Sequence, residues 1–341
     1  MKLSEFDYTL PKELIAQYPI SEREKCRLMM LDREARKIEH KTFEDIVGYF
    51  NERDILVLND TKVIPARLFG KRKTGGNVEL FLLEKKNPTC EALVRPSSRL
   101  KEGERIQLES GDEVEILGRS EIGRFVKFSR SLDEILKKHG LTPLPPYISR
   151  PDEDCDKSYY QTVYADKEGA TASPTAGLHF TKKLIEKVQG QGSRVAYVTL
   201  HTNYGTFAPI KTADVELHKM HKEYFELPEE TARIVNETRR NGGKVFAVGT
   251  TTTRILEHCA SFPPTYNLRA MAQTGYTDMY IYPGYKFKIV DHLITNFHLP
   301  KSTLLLLVSA FAGRDFIFEA YRQAVEKKYR FFSYGDAMLI L

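Results

Sequence analysis

The stretch RLFGKRKTGGNVELFLLEKKNPTCEALVRPSSRLKEGERIQLESGDEVEILGRSEIGRFVKFS, residues 67–129, decides the fold. It consists of short runs rich in apolar residues, separated by turn signals such as Ser110–Asp112. Within one run Val78 and Leu80 flank Glu79, so apolar and polar side chains alternate. Strands that recur about every ten residues with such alternation are typical of an antiparallel barrel or sandwich. We therefore expect a small β-domain here.

The sequence on either side of this stretch has a different pattern. DILVLND, residues 54–60, is an apolar run bounded by charge and predicts a strand buried on both faces. TPLPPYISRP, residues 142–151, carries four prolines and predicts an extended connector. Together these patterns predict an α/β main domain, discontinuous in sequence, formed by residues 1–65 plus 150–341. A small antiparallel β-barrel domain is inserted at residues 66–149.

The second half of the chain alternates predicted helices with predicted strands. Helices are expected within residues 181–192 and 228–243, each closed by glycines, and strands follow at 193–201 and 244–249. A surface helix is expected at 315–328. This alternation indicates an α/β architecture.

Composition limits the class of protein. The chain has 341 residues, 41% of them hydrophobic, and a formal charge of +5, which permits an anionic partner without demonstrating one. The longest apolar run, Leu304–Ala312, is far shorter than the roughly 18 residues that suggest a membrane span. Acidic residues near the N-terminus argue against a signal peptide. We expect a soluble, cytoplasmic protein with no membrane partner.

Neither metals nor standard nucleotide motifs are indicated. Four scattered cysteines include no C-x-x-C pair, which fits a reducing compartment. His218 and His221 have a spacing that would share one helix face, but no third ligand is evident nearby, so no metal site is expected. The chain has neither a P-loop nor a G-x-G-x-x-G turn, which disfavours P-loop and dinucleotide enzymes.

The segment AVGTTTTRILE, residues 247–257, is the first candidate binding site. It places Gly249 and four threonines between an apolar strand and the start of a helix. A helix N-terminus offers free N–H groups, so a carboxylate-bearing ligand could bind there with Arg254 nearby. The alternative is that one threonine simply caps the helix and the others fill the strand.

Two loops combine glycine with histidine: SPTAGLHFT (173–181) and LHTNYGTFAPI (200–210). Small residues allow close approach of a ligand, and an imidazole can move protons near neutral pH. His179 and His201 are therefore candidate general bases, although a structural role fits each of them equally well. Asp60, at the end of the buried strand, is a third candidate because ligands gather beyond the carboxyl ends of such strands.

A stretch near the C-terminus, YIYPGYKFKIVDHLITNFHLPKSTLL (280–305), interleaves aromatic residues with lysines. Aromatic rings stack on unpaired bases and cations meet phosphates, which would suit a single-stranded RNA loop. A packed aromatic hairpin with solvated lysines would give the same pattern.

Taken together, these segments resemble the S-adenosylmethionine:tRNA ribosyltransferase-isomerases. The resemblance runs in order along essentially the whole chain, through the segments FDYTLPKELIAQYP, CRLMMLDR, DILVLNDTKVIPARLFG, GLHFT, YGTFAPI, HKMHKEYFELP, GTTTTRILE, YPGYKFKIVDHLITNFHLPKSTLLLLVSAFAG and YRFFSYGDAMLIL. It implies a fold in which a β-barrel interrupts an α/β domain.

The resemblance also implies a reaction. The ribosyl moiety of S-adenosylmethionine moves onto 7-aminomethyl-7-deazaguanine at the tRNA wobble position and is rearranged, giving epoxyqueuosine and releasing adenine and methionine. S-adenosylmethionine is then a co-substrate, tRNA is the partner, and no tightly bound cofactor or protein partner is implied.

From the residues and the resemblance together we assign three sets of candidate residues. The catalytic candidates are His179, His201 and Asp60. The candidates for binding S-adenosylmethionine are Thr175, Gly177, Tyr204, Gly205, Thr206, Phe207, Thr250, Thr251, Thr252, Asn296 and His298. The RNA-binding candidates, expected to line a basic surface, are Lys62, Arg67, Arg254 and Lys286.

Two points stay open at this stage. Thr171, Ser173, Thr202 and Asn203 stand where the family favours small or apolar residues, which puts the fine geometry of ligand binding in doubt. Two other functions also remain: a non-catalytic RNA-binding protein that uses the barrel, and an RNA methyltransferase that uses the same co-substrate. The histidine- and threonine-rich loops argue against the first, and the missing glycine-rich turn argues against the second.

Overall fold

A computed structural model describes residues 1–85, 88–203, 210–261 and 268–341 of the chain. It contains a nine-stranded mixed sheet flanked by helices and a closed six-stranded antiparallel barrel. The predicted fold class is thus confirmed. The barrel strands span residues 67–128 and lie between strands of the α/β part in sequence.

The strands are numbered here in chain order. They are β1 (Arg27–Asp32), β2 (Lys37–Thr42), β3 (Ile55–Asn59), β4 (Thr61–Val63), β5 (Arg67–Arg72), β6 (Asn77–Leu82), β7 (Thr89–Arg95), β8 (Arg105–Leu108), β9 (Glu113–Arg119), β10 (Arg124–Phe128), β11 (Lys167–Ala170), β12 (Arg194–Leu200), β13 (Glu223–Leu227), β14 (Val245–Val248), β15 (Ala260–Ser261), β16 (Arg269–Ala270), β17 (Gln273–Thr277), β18 (His292–Asn296) and β19 (Ala337–Ile340).

The α-helices are numbered in the same way. They are α1 (Leu132–His139), α2 (Asp154–Tyr159), α3 (Lys182–Gly190), α4 (Glu229–Arg240), α5 (Gly249–His258), α6 (Thr303–Ala312) and α7 (Arg314–Glu326). Helices α3, α4 and α7 were predicted. Helix α7 ends at Glu326, two residues before the predicted end at Lys328, which has a φ of 55°.

The main sheet has the order β17-β13-β12-β3-β14-β18-β19-β1-β2. Its four central strands β12, β3, β14 and β18 are parallel to one another, so their carboxyl ends meet at one edge. Strand β19 runs antiparallel to β18, and β13 runs antiparallel to β12. In such a sheet, ligands bind beyond the carboxyl ends of the parallel strands.

Burial on both faces explains the apolar runs in the central strands. Side chains alternate between the faces of a strand, so Ile55 and Val57 of β3 pack in one hydrophobic cluster while Leu56 and Leu58 pack in another. Helices α4 to α7 contribute to the first cluster, and α3 contributes to the second. The sheet is therefore covered by helices on both sides, as parallel strands require.

The barrel closes in the order β10-β7-β6-β5-β8-β9 with every neighbouring pair antiparallel. Its inward residues form a separate apolar cluster that includes Val78, Leu80 and Val126. The period-2 alternation seen in the sequence thus separates the barrel interior from its outer face.

The proline-rich connector packs against the α/β part. Leu144 and Ile148 lie in one apolar cluster with Ala16, Leu178 and Tyr334. This packing indicates that residues just before the predicted boundary at 150 contribute to the core of the main domain.

Two further predictions from the sequence can be compared with the structure. The apolar run at Leu304–Ala312 forms the short helix α6, and no helix within the described ranges is long and apolar enough to cross a membrane. His218 and His221 lie in an irregular segment after a short 3-10 turn, Val215–Leu217, so the shared helix face considered for them is wrong.

Candidate functional site

A cavity of about 340 Å³ lies at the carboxyl edge of the central strands. Its walls come from segments far apart in sequence, including the 173–176 loop, the start of α5, the loop after β18 and Phe332–Ser333. Among the predicted binding residues, the cavity is lined by Thr175, Thr250, Thr251, Asn296 and His298. Small-molecule sites commonly have volumes of roughly 300–1,000 Å³.

Asn59, the last residue of β3, links this strand to β12 and α5 by hydrogen bonds at this edge. Its side-chain nitrogen donates to the carbonyl of Leu200 at 3.2 Å and to Thr251 Oγ1 at 3.1 Å. Its side-chain oxygen accepts from the N–H groups of Thr61 and Leu200, both at 3.1 Å. The ends of β3 and β12 are therefore fixed to the first turn of α5.

The first turn of α5 faces the cavity without a side-chain cap. Val248 occupies the N-cap position and provides no capping oxygen, so the alternative of a threonine cap is wrong. Thr252 Oγ1 donates to the carbonyl of Val248, and Thr253 Oγ1 donates to that of Gly249. Thr252 is therefore turned away from the cavity, whereas Thr250 and Thr251 line it.

Asn296 and His298 follow the end of β18. Asn296 Nδ2 donates to the carbonyl of Phe332 at 2.8 Å. His298 Nε2 lies 2.9 Å from Thr295 Oγ1, and burial lowers the pKa of His298 to about 3. His298 is thus a neutral hydrogen-bonding group in the cavity wall.

His179 lies behind the cavity wall and is only 4% exposed. Its Nδ1 lies 3.1 Å from Cys26 Sγ, and its Nε2 lies 3.2 Å from Asn296 Oδ1. Burial lowers its pKa to about 4. Both ring nitrogens are occupied, so the geometry favours a role in holding Asn296 over a role as general base.

Gly177 is also absent from the cavity lining in the described part of the chain. A β-carbon at this position would lie 2.0 Å from the hydroxyl oxygen of Tyr164. The glycine therefore permits close packing against Tyr164, and the geometry gives no contact with a ligand.

His201 lies between a glycine and a tyrosine next to the cavity. Its ring stacks on Tyr224 with 5.3 Å between ring centroids, and its Nδ1 lies 2.8 Å from Thr61 Oγ1. A β-carbon on Gly169 would come within 2.5 Å of the ring, so only glycine fits there. Burial, and to a lesser extent Lys167, lowers the pKa of His201. The next residue, Thr202, lines the cavity.

Asp60 faces a different pocket, which is more open to solvent and which it shares with Tyr164, Lys182 and Tyr197. Thr199 Oγ1 donates to Asp60 Oδ1 at 2.6 Å. Burial raises the pKa of Asp60 despite this hydrogen bond. The carboxylate is thus a stronger base than an exposed one.

Comparison with known proteins assigns the chain to a family. The family model described as "Queuosine biosynthesis protein" matches residues 3–340. The chain belongs to this family. A relative from Sulfurihydrogenibium sp., named S-adenosylmethionine:tRNA ribosyltransferase-isomerase, is 55% identical over the full length of both chains. A relative of the same name from Acetivibrio thermocellus is 51% identical over the full length of both.

A solved structure is similar as well. The crystal structure of S-adenosylmethionine tRNA ribosyltransferase from Thermotoga maritima aligns with a TM-score of 0.57 at 41% identity, covering 99% of this chain and 100% of that one.

Within this family member, the four predicted RNA-binding residues have different environments. Arg254 is 4% exposed, and its Nη1 lies 2.5 Å from Glu223 Oε2. The prediction that Arg254 lines a basic surface is therefore wrong. Lys62 pairs with Glu168 at 3.2 Å and Arg67 with Glu79 at 3.2 Å, while Lys286 is exposed.

The aromatic residues of the 280–305 stretch pack largely inward. Tyr280, Tyr282, Tyr285 and Phe287 are partly buried against the main core, and Phe297 is fully buried. The Phe287 ring contacts Phe311 with 4.7 Å between centroids. These contacts fit a packed aromatic segment better than a platform for RNA bases. The stretch contains one strand, β18, which pairs with β14 and β19, so the expected hairpin is not formed.

Four predicted residues, Tyr204, Gly205, Thr206 and Phe207, lie outside the described residues. In the remainder of the chain no group of three or more His, Cys, Asp or Glu side chains could hold a metal ion.

Several cavity-lining residues were not predicted as ligand contacts, among them Tyr147, Ser173, Thr202 and Phe332. Tyr147 comes from the proline-rich connector, and its hydroxyl lies 2.6 Å from Ser333 Oγ. Ser173 and Thr202 had a signal in the sequence, because they belong to the two loops, 173–181 and 200–210, that combine glycine with histidine.

Proposed function

We propose that this protein transfers and isomerises the ribosyl moiety of S-adenosylmethionine onto 7-aminomethyl-7-deazaguanine at the tRNA wobble position. The products are epoxyqueuosine, adenine and methionine. One observation carries the proposal: residues predicted from separate segments, Thr175, Thr250, Asn296 and His298 among them, line one cavity in a chain that matches the family over its full length.

The composition of the cavity walls supports S-adenosylmethionine as the ligand. Apolar walls, which include Ile210, Phe297 and Phe332, would suit the adenine and the methionine side chain. Hydroxyl and amide groups at Thr250, Asn296 and neighbouring positions would orient the ribose. Pockets that are largely apolar with a few placed polar groups are typical of small-molecule sites.

The chemistry requires a base near the ribose. The sulfonium of S-adenosylmethionine acidifies the 5′ carbon, so rearrangement can begin with removal of a proton there. We assign this step to His201, because it is neutral near pH 7 and directly precedes a residue of the cavity wall. Asp60 is the alternative base. His179, with both nitrogens occupied, positions Asn296 instead.

The tRNA would approach over a surface that includes Lys62, Arg67 and Lys286. The acidic partners of Lys62 and Arg67 are half-buried or exposed, so phosphates could replace them. Because tRNA is the substrate, we propose that the protein acts in the cytoplasm, as its scattered cysteines predict.

Product analysis separates this function from the two alternatives. The purified protein would be incubated with S-adenosylmethionine and a tRNA that carries 7-aminomethyl-7-deazaguanine at the wobble position, with an unmodified transcript as control. We expect release of adenine and methionine with the modified tRNA only. Formation of S-adenosylhomocysteine would indicate a methyltransferase, and binding of tRNA with no turnover would indicate a non-catalytic protein.

A further inference from the structure

Two residues of the cavity wall each carry a buried hydroxyl group that has no partner among the described residues. Ser173 and Thr202 are 5% and 3% exposed, and both line the cavity. Neither Ser173 Oγ nor Thr202 Oγ1 has a hydrogen-bond partner within the described part of the chain. A buried hydroxyl without a partner destabilises the structure, so a bound group that accepts hydrogen bonds from both would be favoured.

These hydroxyls share the cavity wall with the start of α5. Gly249, Thr250 and Thr251 line the same space, and the first turn of the helix has no side-chain cap. The first N–H groups of a helix lack partners within it, and the helix dipole gives this end a partial positive charge. The helix start and the hydroxyls therefore offer hydrogen-bond donors to one ligand group.

The charges around the cavity favour an anion. No Asp or Glu occurs among the described residues that line it. Lys301 is the cation among them, and its Nζ pairs with Asp7 Oδ2 at 2.6 Å. His298 stays neutral because burial lowers its pKa to about 3. A carboxylate would therefore meet donors and a positive helix end, with no acidic side chain opposing it.

We propose that the first turn of α5, together with the hydroxyls of Ser173 and Thr202, forms a carboxylate subsite for the methionyl end of S-adenosylmethionine. This inference rests on the proposed function, because it assigns one part of the same ligand. The subsite orients the co-substrate with its methionyl carboxylate against α5.

The test compares two ligands on three variants. Binding of S-adenosylmethionine and of decarboxylated S-adenosylmethionine would be measured by calorimetry on the full-length protein. Ser173→Ala and Thr202→Val remove one hydroxyl each. Ser309→Ala is a matched control, because its hydroxyl is equally buried and unpartnered but lies on α6, away from the cavity lining.

We expect Ser173→Ala and Thr202→Val each to weaken the binding of S-adenosylmethionine about tenfold, as for loss of a hydrogen bond to a charged group. Binding of the decarboxylated compound should change less than about twofold, and Ser309→Ala should change neither. The proposed subsite is contradicted if S-adenosylmethionine binds these two variants as tightly as the wild type, or if the binding of both ligands weakens equally. Adenine release by the unaltered protein reports the proposed function separately.

Discussion

His179 donates its Nε2 proton to Asn296 Oδ1 across 3.2 Å, one layer behind the cavity. The direction follows because Asn296 Nδ2 donates to the carbonyl of Phe332, which leaves Oδ1 as the acceptor. The lone pair on Nδ1 of His179 then faces Cys26 Sγ. This chain of contacts fixes the orientation of an amide that lines the proposed binding site.

Replacement of His179 should therefore affect ligand binding more than the chemical step. In His179→Leu the Asn296 oxygen loses its donor, which costs about 1–3 kcal/mol of hydrogen bonding and lets the amide rotate. We expect a higher KM for S-adenosylmethionine, with His179→Gln recovering part of it. Steady-state kinetics at saturating tRNA would check this. A loss of kcat by a factor of about 10² or more in His179→Gln, with KM unchanged, would return His179 to the role of base.

The base assignment predicts a pH profile. His201 acts as a base only when neutral, and its pKa lies below 6.5, so kcat/KM should be constant near neutral pH and fall as the pH drops through that lowered pKa. His201→Gln should remove this limb and reduce turnover by about 10² to 10⁴.

Isotope exchange gives the matching control. Wild type in deuterated water with tRNA should exchange the 5′ hydrogens of the ribose, and His201→Gln should not. If Asp60→Asn abolishes exchange while His201→Gln retains it, Asp60 is the base.

The ion pair between Arg254 and Glu223 predicts a structural phenotype. Arg254→Ala leaves a buried carboxylate without its cation, which should cost about 3–5 kcal/mol in the free energy of unfolding. Urea denaturation would measure it. Lys286→Ala, at an exposed position, should leave stability unchanged and reduce the salt dependence of tRNA binding. Equal stabilities of the two variants would contradict the structural role of Arg254.

The packing of the connector makes the domain boundary testable. A variant that joins residue 65 to residue 142 by a short flexible linker keeps Leu144 and Ile148 in their cluster, whereas one that joins 65 to 150 loses both. Both should unfold cooperatively, the first with the greater stability, since loss of each buried side chain costs about 2–5 kcal/mol. Non-cooperative unfolding of both would count against an inserted domain.

The sequence predicts those parts of the fold that depend on local pattern. The barrel strands follow from period-2 alternation, and helix α5 follows from its position after the apolar strand β14. Strands β1 and β19 were not predicted, because they pair residues from opposite ends of the chain.

In the candidate site, too, some features could be predicted from the sequence and others could not. The strand-end rule was applied to Asp60, which faces a different pocket. Thr250, chosen for its place at a helix start, and Asn296, chosen with the help of the resemblance, line one cavity. Which side chains face the cavity depends on packing that the sequence does not reveal. His179 lies behind Asn296 and contacts its side chain, and Arg254 forms a buried ion pair with Glu223.

The cavity at the carboxyl edge of the sheet is the proposed site where S-adenosylmethionine binds and reacts. Leu304 lines this cavity and is only partly buried, so Leu304→Trp should fill the cavity without unfolding the protein. Leu217→Trp, at an exposed position, is the control. The decisive measurement is the calorimetric Kd for S-adenosylmethionine in both variants, with melting temperatures recorded alongside. We predict at least a tenfold weaker Kd for Leu304→Trp alone at an unchanged melting temperature. An unchanged Kd in that variant would place the co-substrate elsewhere.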